Sequence, residues 1–163
     1  MVRSPNRETT VTRLTAEDVR ERSSLRVLLE GLAAVQAAER MGEKDFEELR
    51  AHLDAIHGSL DKDSYLDFVA ADLDFHRAIW RLSGNQTLCK VLELITVPLF
   101  AFLSIRRSRT LHNLARSVKS HDPILAALRS KDEAAIREAI RSHIEDSYSR
   151  LEDSLPLEAP AAP

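Results

Sequence analysis

The stretch SYLDFVAADLDFHRAIWRLSGN, Ser64 to Asn85, is where the fold can first be read. Its large apolar residues Tyr65, Phe68, Val69, Ile79 and Trp80 recur at steps of three and four, the period of a helix with one buried face. No Gly or Pro interrupts the run until Ser83-Gly84-Asn85, which supplies a stop. Two positions of the same stripe are not apolar: Asp72 and His76.

The helical period continues on both sides of this segment. A first helix is expected from about Ala16 to Met41, opened by Thr15 with Asp18 three residues on and closed by Gly42. Its stripe reads Leu25, Leu28, Leu29, Leu32 and Val35. A second runs from about Lys44 to Ile56, with Phe46, Leu49, Leu53 and Ile56 on one face and Gly58 as its end. The third helix is the quoted one, Ser64 to Leu82.

A fourth, Gln86 to Arg107, is the most apolar and reads as a central helix buried on more than one side, kinked at Pro98. Thr110 to Ser117 reads as a connector. A fifth helix begins near Ser120, with Pro123 in its first turn, and carries Ile124, Leu125 and Leu128. The sixth runs from Glu133 to Leu151 with Ile136, Ala139, Ile140 and Ile144. The expectation is an all-α antiparallel bundle of six to seven helices over residues 15–153. Residues 1–14 read as a disordered linker and 154–163 as a disordered tail.

Composition agrees with helices and excludes the alternatives. The 163 residues hold 4 Gly and 6 Pro, about half the usual share. Pro5, Pro156, Pro160 and Pro163 lie near the ends, so a sheet protein's turns cannot be supplied. With 44% hydrophobic and 30% charged residues the chain is neither disordered nor fibrous. The longest nearly apolar run, Val91 to Ile105, is broken by Glu93, Thr96 and Ser104 and is too short for a bilayer. No signal peptide is visible, and the single Cys89 reads as a small core residue of a cytoplasmic protein. A net charge of −3 argues against nucleic-acid binding by this segment itself.

The informative residues are polar groups on apolar stripes. Asp72 and His76, four apart, project from one face of the third helix. His121 lies three before Ile124, and His143 three after Ile140. Burying such groups unpaired costs several kcal/mol. A divalent metal would satisfy all four at once as an N₃O set suited to zinc, nickel, manganese or iron. The alternative is that each is an ordinary hydrogen-bonded core residue, since a D-x-x-x-H spacing also arises by chance. His52, His57 and His112 fall on less apolar positions and read as surface residues. Arg26 and Glu30 are spaced as a surface ion pair, although Arg26 could reach a cavity and clamp a carboxylate. The Arg106-Arg107-Ser108-Arg109 cluster reads as a solvated helix end. No Gly-rich phosphate loop or HExxH motif is present.

Asp72-Leu73-Asp74-Phe75-His76, Ser83-Gly84-Asn85, and His121 and His143 twenty-two positions apart resemble the FCD domain. That is the C-terminal effector-binding domain of the FadR subfamily of GntR transcriptional regulators. The resemblance extends to Arg26-x-x-x-Glu30, the Ala-rich stretch to Arg40, and Lys131-Asp132, and covers about 130 residues. It implies a helical bundle around a metal-containing cavity. Asp72, His76, His121 and His143 would be the metal ligands, zinc before nickel, manganese or iron. Arg26 would be a second anchor for a small carboxylate effector.

The family often has Glu directly before the third ligand, where this chain has Ser120, and Pro123 is unusual so close to it. The family's N-terminal winged helix-turn-helix has no counterpart before Thr15, so DNA binding would belong to that other domain. The resemblance further implies a cytoplasmic homodimer that is not an enzyme. A metalloenzyme using the same four residues is the competing reading, but Asp74, the nearest spare carboxylate, should face away from Asp72 and His76. A metal-free structural bundle is the third.

Overall fold

The computed structural model describes residues 14–62, 64–107 and 114–152. Among these it contains seven helices and no strand: α1 (Ala16–Arg40), α2 (Glu43–Asp61), α3 (Tyr65–Leu82), α4 (Gln86–Arg107), α5 (Leu114–Lys119), α6 (Asp122–Ser130) and α7 (Glu133–Glu152). The short turns into α3 and α4 send each of these two helices back along its predecessor, whereas α1 packs on α7, α3 and α4 rather than on α2. The expected linker and tail lie outside the described residues except for Leu14, as do His112 and the side chains of the Arg106–Arg109 cluster.

Local chemistry sets the boundaries. Thr15 Oγ1 accepts from the Asp18 N–H at 3.1 Å while the Thr15 N–H donates back to the Asp18 carboxylate at 2.8 Å, a closed capping box. Ser64 caps α3 with a single bond, its Oγ accepting from the Asp67 N–H at 3.2 Å. Gly84 takes φ +69°, a left-handed value that L side chains avoid, and the Arg40 guanidinium lies where a Cβ would sit. Asn85 then caps α4 by accepting from the Leu88 N–H. Pro98 has no N–H for the Leu94 carbonyl one turn back; Arg22 of α1 donates to the Leu94 and Ile95 carbonyls instead, at 3.4 and 3.1 Å.

The main core gathers Phe46, Leu49, Leu53 and Ile56 of α2, Phe68, Phe75 and Ile79 of α3, Ile124 and Leu128 of α6, and Ile136, Ile140 and Ile144 of α7. Burying each such side chain contributes about 1.5–3 kcal/mol. A second cluster packs Ala33, Trp80, Leu88 and Leu92. A third tucks Leu14 and Val19 against Leu99, Phe102 and Tyr148, so the start of α1 is fastened to α4 and α7.

Five readings of the sequence are corrected. α2 does not end at Gly58 but runs three residues further, because Gly58 is half-buried within it with nothing near its Cα to exclude. Leu114–Lys119, whose first four residues read as connector, is a helix whose Leu114 and Val118 reach the core. α4 is not the central helix: Leu94 is 73% and Val91 39% exposed. That place belongs to α1, whose Ala33, Ala34, Ala37 and Ala38 let α7, α3 and α4 approach closely. Its stripe is also rotated from the one read, since Leu25 and Leu28 face out while Ser23, Arg26 and Glu30 are buried. Cys89 is only partly buried, its Sγ donating to the Trp80 carbonyl at the core edge.

Candidate metal centre

The four residues singled out on the stripes meet at one point. α3 supplies Asp72 and His76 from successive turns, the turn before α6 supplies His121, and α7 supplies His143. One ligand atom from each lies within 4.8 Å of all the others. His121 Nε2 is 2.9 Å and His76 Nε2 3.2 Å from Asp72 Oδ1, and His76 Nε2 is 3.2 Å from His143 Nε2. Bonds of 2.0–2.1 Å from a tetrahedral zinc place its ligands about 3.3 Å apart, so these spacings suit such an ion. His76 and His121 are fully buried, His143 nearly so, and the Asp72 side chain 13% exposed.

Each imidazole is held from behind. The Ser117 carbonyl, which can only accept, takes the His121 Nδ1–H at 3.0 Å. Ser120 Oγ donates its proton to the Ser117 carbonyl at 2.7 Å, so it accepts the His143 Nδ1–H at 3.1 Å. Behind His76, Glu30 Oε2 lies 2.6 Å from Nδ1, an ionic contact off the axis of a good hydrogen bond. All three Nδ1 atoms therefore face outer partners, while the Nε2 atoms of His76 and His121 face Asp72 and that of His143 faces His76 Nε2. Outer partners of this kind fix ring orientation and tautomer at metal sites. Phe75 packs edge-on against His76 and His121, stiffening the rings further.

The electrostatics follow from burial and close opposite charges. Burial alone would lower His76, but the Glu30 and Asp72 carboxylates outweigh it and raise the imidazole to about 9. Burial would raise Asp72, but His121 and His76 hold it well below the usual carboxylate range. Burial and then the neighbouring His121 and His76 push His143 well below an ordinary histidine. Without a metal, His76 thus presents an Nε2 proton toward Asp72 and the free Nε2 of His143, in the place where a cation would stand.

Arg26 also reaches the centre. It is 4% exposed, not a surface pair, and donates from Nε to Glu30 Oε1 at 2.6 Å with its guanidinium over the Phe100 ring. Glu30 in turn accepts from Trp80 Nε1 at 3.3 Å. Burial would raise its carboxyl, but Arg26 and His76 bring it down to about 2. Arg26, Tyr65, Asp72, Phe100, Ser120 and Ser147 line a pocket beside the histidines with about 20 Å³ of room, space for one or two waters.

Asp74 is exposed and faces Arg77, as its spacing required. His52 and His57 are surface residues near Glu48 and Asp122. Sequence reading missed Phe75 and the histidine-holding roles of Glu30, Ser117 and Ser120. Ser120 was visible only as a departure from a family habit, and a backbone carbonyl such as that of Ser117 leaves no trace in a sequence.

Known proteins resemble this chain in sequence and in shape. The "Probable D-xylose utilization operon transcriptional repressor" of Paenarthrobacter nicotinovorans is 28% identical over 136 residues, 83% of this chain and 59% of that protein. The chain thus spans less than two thirds of that relative's length. E. coli McbR/YncC superposes with a TM-score of 0.81 at 21% identity, over 88% of this chain and 72% of that one. Streptococcus agalactiae GntR does so with 0.71 at 21%, over 85% and 62%. At such identities the likeness is one of fold. The sequence profile of the FCD domain covers residues 21–146, which include Arg26 and all four converging side chains. This chain belongs to the FCD domain family.

Proposed function

We propose that this chain is the effector-sensing domain of a GntR-type transcriptional regulator, and that Asp72, His76, His121 and His143 hold a divalent metal, zinc foremost. When bound, the metal would supply a positive centre for the carboxylate of a small effector, and Arg26 would anchor the same molecule from α1. The observation that carries this reading is that all three Nδ1 atoms have outer partners while the four side chains converge, with the Nε2 atoms of His76 and His121 on Asp72 and that of His143 on His76 Nε2. A merely structural core would have no need to set three tautomers toward one point.

Asp74, the nearest spare carboxylate, faces solvent beside Arg77, which favours a sensor over an enzyme. In a regulator of this kind, DNA contacts belong to a separate domain, and the protein works in the cytoplasm. No helix among the described residues is long and apolar enough to cross a membrane. We read the assembly as a homodimer. α1 and α4 pack side by side and turn Leu25, Leu28, Val91 and Leu94 outward, the exposed apolar surface that an interface between copies would cover.

Elemental analysis of protein purified without added metal tests the centre, with a His121→Ala/His143→Ala variant as control. One equivalent in the first and none in the second is expected; equal, near-zero metal in both overturns it. Citrate- and lactate-like acids should raise the melting temperature of loaded protein without being consumed. Turnover of either acid would favour the enzyme.

A further inference from the structure

Glu30 stands apart from the other outer partners of the centre. His121 and His143 are held by neutral groups, a carbonyl and a hydroxyl, whereas His76 has a carboxylate behind it. That carboxylate is 1% exposed, and burying it carries a desolvation penalty that apolar packing at the same position would avoid. Its two oxygens are divided: Oε2 faces His76 Nδ1 and takes the Trp80 indole N–H, and Oε1 takes Arg26 Nε. Trp80 and Arg26 thereby fix the carboxylate before any metal arrives.

Resting on the metal-site reading above, we infer that Glu30 is the positioning residue of the centre, holding the His76 ring so that Nε2 faces the ion and strengthening that nitrogen as a ligand. A carboxylate behind a metal-bound imidazole raises its basicity, and loss of such a partner weakens metal binding about 10–100-fold. Asp72 in front and Glu30 behind give His76 an anion on each side, an arrangement neither of the other histidines has.

Competition between the protein and a chelator for zinc and for cobalt(II) tests this in wild type, Glu30→Gln and His143→Ala. Wild type should bind one equivalent, and His143→Ala none. Glu30→Gln should keep one equivalent, bind about 10–100-fold more weakly, and show altered visible bands with cobalt. Unchanged affinity and bands in Glu30→Gln, even with a lowered metal-free melting temperature, overturn the role of Glu30 while the site stands. No binding by wild type overturns the site and Glu30 with it. A measurement on wild type alone guards against a variant that fails to fold. In the zinc-loaded protein, nitrogen-15 spectra should show His76 protonated on Nδ1, with that proton exchanging slowly; a proton on Nε2, or rapid exchange, overturns the inference.

Discussion

α1 and α2 lie one turn apart in the chain and divide their faces in opposite ways. α2 buries Phe46, Leu49, Leu53 and Ile56 and shows Glu47, Arg50 and Asp54 to water. α1 buries Ser23, Arg26 and Glu30 and shows Leu25 and Leu28. The first arrangement is what the hydrophobic effect alone produces. The second sets polar groups where the histidines need them and relies on alanines, rather than large side chains, for close packing. One helix therefore carries mostly stability and the other mostly chemistry.

The sharpest test of that division is loss of a ligand. His143→Ala should weaken metal binding by more than the roughly 100-fold of an outer partner, measured by chelator competition, while the α2 face stays intact. Leu49→Ala on α2 should do the reverse, costing about 2–5 kcal/mol of stability by denaturant unfolding with metal affinity of the folded protein unchanged. A tenfold loss of affinity in Leu49→Ala would break the comparison.

The next effect is one of pH. In chelator-treated protein the folded His76 holds its proton to about 9, against an ordinary 6.5. The stability this gives is complete below pH 6.5 and is lost as pH rises through 9. A melting temperature falling across that window in metal-free protein, and held when zinc occupies Nε2, is the expected pair of curves. On the outer side of α1, Leu28→Glu should shift the protein toward monomer in sedimentation with metal affinity unchanged. The smallest effect belongs to the outer face of α7, where Arg141 pairs with Glu138 and Glu145 in solvent. Arg141→Ala should change stability by no more than about 0.5 kcal/mol.

What the sequence disclosed follows from the same contrast. Asp72, His76, His121 and His143 stood out because their helical neighbours are apolar, so each appeared as an interruption in a stripe that was otherwise clear. α3, α4, α6 and α7 were bounded to within a residue or two for the same reason. α1 misled because apolar periodicity equates inside with apolar. Its inner face is alanine and polar and its leucines lie elsewhere, so the leucines give the wrong phase. Arg26 and Glu30 then appeared as an ordinary surface pair. The short α5 was hidden because six residues carry too little pattern, with only Leu114 and Val118 reaching the core.

The seat of Leu14 and Val19 has a mechanical consequence. They rest on Leu99, Phe102 and Tyr148, and the residues adjoining those supports in the chain, Phe100 and Ser147, are walls of the pocket. A pocket with about 20 Å³ of room cannot take in a multi-atom acid with its walls at rest. Under the proposed sensing role, an occupant that pushed Phe100 or Ser147 outward would also move a neighbouring support of Leu14. The seam would then work as a strain gauge, turning the volume of an occupant into a displacement at the root of α1.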